Sequence, residues 1–242
     1  MAVTGGYMAM RIRNFPLPYA RAYADYILHE VIPTFNDIQS RADKVSDDEF
    51  ARLGSEPADD DSYVDMGSLA EEAEDKGVAF YLTMSALRQS VLNLFCVGLF
   101  HLLEQQIADL CHDGAFMVEP PEGNLRRELP DWYREHFGLD LLKLPSWSAI
   151  DELRLVANVT KHAEGDSASQ LRTRRPMLFI PICFDEPHPE SVQFNAPVSR
   201  PLAGDDLYVT PEMLQQYSGA TVAFLSEIEK HFQDNRDEYY PR

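Results

Sequence analysis

The chain has 242 residues, 45% of them hydrophobic and 25% charged, which suits a folded domain with a core of its own. Its formal net charge of −19 argues against non-specific coating of nucleic acid or of an anionic membrane, while leaving room for a local basic groove. Three cysteines, Cys96, Cys111 and Cys183, show no CxxC spacing, which argues against a disulfide framework and a zinc finger.

The opening "MAVTGGYMAMRIRNF" lacks the apolar stretch of a signal peptide. The most apolar run, "VLNLFCVGLFHLL", is 13 residues long and too short to span a bilayer. The expectation is a cytoplasmic protein without a membrane segment. Arg11 to Pro18 holds two prolines and predicts an irregular lead-in. From Tyr19 to Ile38, apolar residues recur at three and four, predicting a helix bent or restarted at Pro33.

Residues 41–76 change character. Between Arg41 and Asp75 stand 13 acidic residues against 3 basic ones, and "SEPADDDSYVD" has no periodicity. This predicts an acidic, flexible surface loop. Gly77 to His112 then gives the strongest helical signal, with a stripe that includes Leu87, Val91, Leu94, Phe95, Leu99, Leu102 and Leu103. Gly98 predicts a close helix contact there, and His101 and His112 read as surface or core-edge histidines.

Prolines 120, 121, 130 and 145 break the next stretch, with a short helix expected from Pro130-Asp131. Ser146 or Ser148 then caps a helix that carries "ELRLVANVTKHAEG" and ends at Gly165. Residues 176–209 hold "MLFIPICF", "SVQFNAPV" and "DLYV", which predict a small β-rich insertion. Thr210 and Pro211 cap and open the last helix, whose apolar side includes Leu214, Tyr217, Phe224, Leu225 and Ile228. The fold class expected is mainly α, one domain over 1–242 with that insertion before its C-terminal helix.

The chemistry concentrates on the helix before Gly165. On a wheel, Ala149, Leu153, Val156, Val159 and Thr160 share one side, while Asp151, Arg154, Asn158, Lys161 and His162 gather opposite. Arg154, Asn158 and His162 are i, i+4 and i+8 neighbours. Any amphipathic helix has such a polar face. Two features point beyond that. His162 stands near a helix C-terminus, where the dipole favours positive charge. And Arg172, Arg174 and Arg175 follow, so that Arg154 to Arg175 holds five Lys/Arg against two acids. A cationic hollow beside a histidine could hold a phosphate.

The pattern E-L-R-x-x-x-N-x-x-x-H near a helix end, after a long helix, resembles the HEPN superfamily over the helical parts of the chain. Asn158 and His162 match the motif; its arginine would stand at Ala157. The resemblance implies a HEPN-like helical bundle that forms a homodimer. It implies a metal-independent endoribonuclease of a toxin–antitoxin or phage-defence type, with RNA as substrate and an antitoxin or other protein as partner. His162 would then move the proton, Asn158 would orient it, and Arg154 would stabilise the phosphate, with Lys161, Arg172, Arg174 and Arg175 binding substrate. Arg154 and His162 lie about 12 Å apart along the axis, so one site would need two helices about a dyad. No metal or cofactor is expected. The alternative is a catalytically silent HEPN-like module that binds a partner protein or a nucleotide.

Overall fold

Thr4 is the residue from which the first helix starts: its hydroxyl accepts a hydrogen bond from the Tyr7 N–H. The computed structural model describes residues 3–55, 65–111, 125–181 and 197–240. Helix α1 (Gly5–Asn14) breaks at Phe15, and α2 (Pro16–Tyr26) follows at once. The expected irregular lead-in is therefore helical. Pro16 and Pro18 fall in the first turn of α2, where backbone N–H groups have no intrahelical partner to lose. A π turn (Ile27–Val31) and a 3-10 turn (Ile32–Phe35) carry the chain past Pro33, where a bend was expected.

The acidic stretch 41–76 is mostly helix rather than loop. Helix α3 (Ile38–Gly54) and the first turns of α4 (Met66–Cys111) pair along their length. Residues 56–64 lie outside the described residues. Among the described residues, several of those buried in this seam are small, Ala42, Ala73 and Gly77, so no apolar stripe announced it. A Cβ at Gly77 would press on the Ala42 carbonyl and on Ser46. Among the described residues of this stretch most carboxylates face outward, and the buried one, Glu49, receives both Arg52 and Lys76. Those hydrogen bonds hold its carboxyl at about 2, well below the usual range.

Helix α4 has 46 residues and spans about 70 Å. By length and composition it is long and apolar enough to cross a membrane, with an 18-residue window of mean hydropathy 1.4, so the 13-residue run understated it. In the fold its C-terminal half is core: Leu92, Cys96, Leu99, Phe100, Leu103 and Ile107 are buried, and the helix packs against α2 and two later helices, α6 (Trp147–His162) and α8 (Pro211–Asp234). At Gly98 the helix meets the Tyr23 hydroxyl, the close approach expected from the sequence.

Helix α5 (Glu128–Phe137) ends at Gly138, whose φ of 67° needs no Cβ penalty. Its Phe137 packs edge-on against Tyr133, Phe232 and Tyr240, and Phe232 packs edge-on against Tyr240. Ser146 is the N-cap residue of α6, but its hydroxyl donates to Glu227 on α8 instead of capping. Helix α7 (Asp166–Arg174) packs back on α6. Thr210 caps α8 as expected, accepting from the Met213 N–H at 3.3 Å.

Strands β1 (Val3–Thr4) and β2 (Tyr239–Tyr240) pair antiparallel, Val3 with Tyr240. Among the described residues of 176–209 there is no strand; 3-10 turns occupy Pro176–Phe179 and Pro201–Ala203, and residues 182–196 lie outside the description. Prolines 176, 181, 197 and 201 deny the backbone the donors a ladder needs. The segment is held by α4 instead. Asn93, fully buried, donates to the Pro201 and Leu207 carbonyls at 2.9 Å each, and Ser90 donates to the Leu202 carbonyl. The chain is thus mainly α-helical, as its periodicity predicted.

Candidate functional site

Helix α6 is wrapped by α4, α7 and α8, and this decides what its polar residues can do. Ile150, Leu153, Leu155, Val156, Ala157, Val159 and Thr160 are all buried. The helix is therefore not two-faced in the way its wheel implied. Arg154 is itself buried, only 7% exposed. Ala157, where the HEPN arginine would stand, has no exposed surface at all, so a longer side chain there would enter the core.

The cations of the sequence motif are engaged one by one. Arg154 Nε donates to Asp151 Oδ1 at 2.8 Å, one helical turn earlier. Its Nη2 lies 2.8 Å from the same oxygen but is poorly aligned to bond it, so the attraction there is mainly between charges. Arg174 reaches back from α7 to the other oxygen of Asp151 at 2.7 Å. Burial alone would raise the Asp151 carboxyl, but the hydrogen bonds of Arg154 and Arg174 prevail and hold it below the usual range.

Arg175 donates to Glu152 Oε1 at 2.9 Å, and the Tyr217 hydroxyl donates to the same oxygen at 3.0 Å. Arg172 forks onto Glu164 at 2.8 and 2.6 Å and lies over the Phe179 ring. Glu164 also accepts from the Val198 N–H at 2.8 Å. The Arg172 hydrogen bonds are the main reason its carboxyl falls to about 2. The basic cluster is thus a clasp between α6 and α7. Counting from Arg154 gave five cations and two acids; starting at Asp151 adds Asp151 and Glu152 and cuts the balance from +3 to +1.

At the C-terminal end of α6 the picture differs. Asn158 is half-buried and makes one long contact, Nδ2 to Ser167 Oγ at 3.4 Å. His162 is exposed and has no hydrogen-bond or ionic partner among the described residues. Lys161 turns to α4, its Nζ 2.9 Å from His101 Nε2, and His101 Nδ1 lies 3.3 Å from Glu104 Oε2. An ammonium only donates, so Nε2 accepts and Nδ1 carries the proton toward Glu104. Glu104 Oε1 in turn accepts from the Leu125 N–H at 3.0 Å.

The chain Lys161–His101–Glu104 escaped the sequence reading. Its one signal was the His-x-x-Glu spacing on α4, which places both on one helical face. The lone pair that a base would use faces the lysine, so this histidine serves as a latch between α4 and α6. Arg154 and His162, expected to share a phosphate, are not brought together: one is covered and bound to Asp151, the other is open to solvent. Among the described residues, no group of His, Cys, Asp and Glu could hold a metal ion. No family model matches the chain, and neither the curated proteins nor the solved structures compared with it gave a match.

Proposed function

We propose that the chain is a catalytically silent, HEPN-like helical module that acts in the cytoplasm by binding a partner protein. The observation that carries this reading is the neutralisation of the cationic set. Arg154, Arg172, Arg174 and Arg175 are each held by a carboxylate of the same chain, and Ala157 is buried where the family's arginine would stand. To reach a phosphate, each guanidinium would have to leave a carboxylate, and Arg154 would also have to leave the interior. A homodimer would not change this, because the partner's arginines have the same carboxylates. The same argument disfavours a nucleotide as ligand.

The ribonuclease reading keeps one support, the solvent-exposed His162, which has no partner among the described residues. The two are separated by incubating purified protein with total RNA in the presence of a chelator. Intact RNA, with His162→Ala indistinguishable from wild type, is the expected result. Cleavage that leaves 2′,3′-cyclic phosphate ends and disappears in His162→Ala overturns the proposal.

A further inference from the structure

Helix α3 and the N-terminal part of α4 form an antiparallel pair that meets the rest of the protein chiefly through α4 itself. Along it runs an open groove of about 680 Å³. Its walls repeat at helical spacing: Asp43, Asp47 and Phe50 on α3, Glu74, Val78 and Leu82 on α4. The apolar members are open, with Phe50 38%, Val78 50% and Leu82 61% exposed. Asp43 accepts only an amide hydrogen bond from Gln39, and none of the three acids has an ion pair among the described residues. No lysine or arginine lines the groove.

From this geometry, and resting on the reading that the chain works by binding, we infer that the groove takes a basic amphipathic helix of another protein. The exposed apolar members Phe50, Val78 and Leu82 accept leucine-like anchors at i, i+3/i+4 and i+7. The flanking carboxylates select lysines and arginines beside those anchors and speed the encounter in the field of a chain at −19. The segments 56–64, 112–124 and 182–196 contain no lysine or arginine, so none of them offers the groove the same chemistry. A second copy brings the same negative charge.

The probe is a fluorescein-labelled Leu/Lys amphipathic peptide, with a Leu/Glu peptide and a scrambled Leu/Lys peptide as controls, read by anisotropy. The Leu/Lys helix binds wild type with a Kd on the order of 10 μM at low salt. Asp43→Asn/Asp47→Asn/Glu74→Gln and Val78→Ser/Leu82→Ser each weaken it roughly tenfold. Neutralising Asp25, Glu135 and Asp166, exposed acids elsewhere, leaves it unchanged. Circular dichroism of each variant confirms the fold. Equal weakening by the remote variant, equal binding of the scrambled peptide, or no binding overturns the groove. So does a dimer seen by light scattering that Leu82→Ser abolishes, which would give the groove to a second copy. The same samples assayed on RNA judge the silent-module reading separately: cleavage defeats that reading, while failure of the peptide alone defeats only the groove.

Discussion

Arg174 closes on Asp151 at 2.7 Å from a different helix, while Arg154, one turn along α6, holds the other oxygen of the same carboxylate. One half-buried acid thus ties α7 to α6 and neutralises the guanidinium inside. Asp151→Asn leaves Arg154 charged and covered, and the expected loss is about 3 kcal/mol of unfolding free energy. Arg174→Ala removes only the half-exposed arm, for about 0.5–1 kcal/mol. Urea denaturation compares the two; equal losses would mean that the burial of Arg154 is not what makes the acid matter.

Placing at Ala157 the arginine that the proposed HEPN-like reading calls for should fail. The position lies within the core among Leu153, Val156 and Val159. Ala157→Arg buries a charge with no partner and overpacks its surroundings, so a loss of at least about 4 kcal/mol, or an insoluble product, is expected. Soluble yield and thermal unfolding measure it. A stable Ala157→Arg protein that cleaves RNA would return the chain to the ribonucleases.

Glu164 makes stability depend on acid. Its ordinary carboxyl value is 4.5, and Arg172 with the Val198 N–H brings it to about 2 in the fold. A depressed folded value means the contribution is whole above pH 4.5 and disappears as pH falls toward 2. Glu164 is partly open to solvent, so screening leaves about 1 kcal/mol. Arg172→Ala should remove that amount at pH 7 and flatten the stability curve between pH 5 and 2. A curve as steep as wild type would assign acid sensitivity to other carboxylates.

Two backbone positions give opposite predictions. Gly204 has φ 82°, and a Cβ there would run into the Ala86 carbonyl of α4. Gly204→Ala should cost about 3 kcal/mol, through strain and displacement of the segment Asn93 holds. Ala163 ends α6 with φ 61° and ψ −133°, a conformation a Cβ penalises. The sequence placed this reversal at Gly165. Ala163→Gly should stabilise the protein by about 1 kcal/mol, measured by urea midpoint. No gain would show that the neighbouring Glu164 contacts offset the strain.

The long apolar helix, the final helix with its Thr210 cap and the helix ending near His162 were legible, because each repeats apolar residues at a helical period or carries a capping residue. The pair α3–α4 was not, since much of its seam is alanine and glycine and its charges dominate any count. Strands were expected where β-formers cluster, but among the described residues of that stretch prolines interrupt the backbone, and Asn93 and Ser90, from a distant stretch of chain, hold the Pro201, Leu202 and Leu207 carbonyls. Asp151 stands on the same wheel face as Arg154, but the charge balance of +3 runs from Arg154 and so leaves that acid out. Which carboxylate meets which guanidinium depends on α7 folding back, a tertiary event that local spacing does not record.

The pairing of Val3 with Tyr240 has a kinetic consequence. Met8, Ala9 and Ile12 of α1 find much of their cover on α8, so a helix near one end of this sequence stays unshielded until one near the other end docks on it. Closure of this wide loop belongs late in folding and is slow, because its contacts are widely separated in sequence. Until then the apolar side of α1 is open to wrong partners.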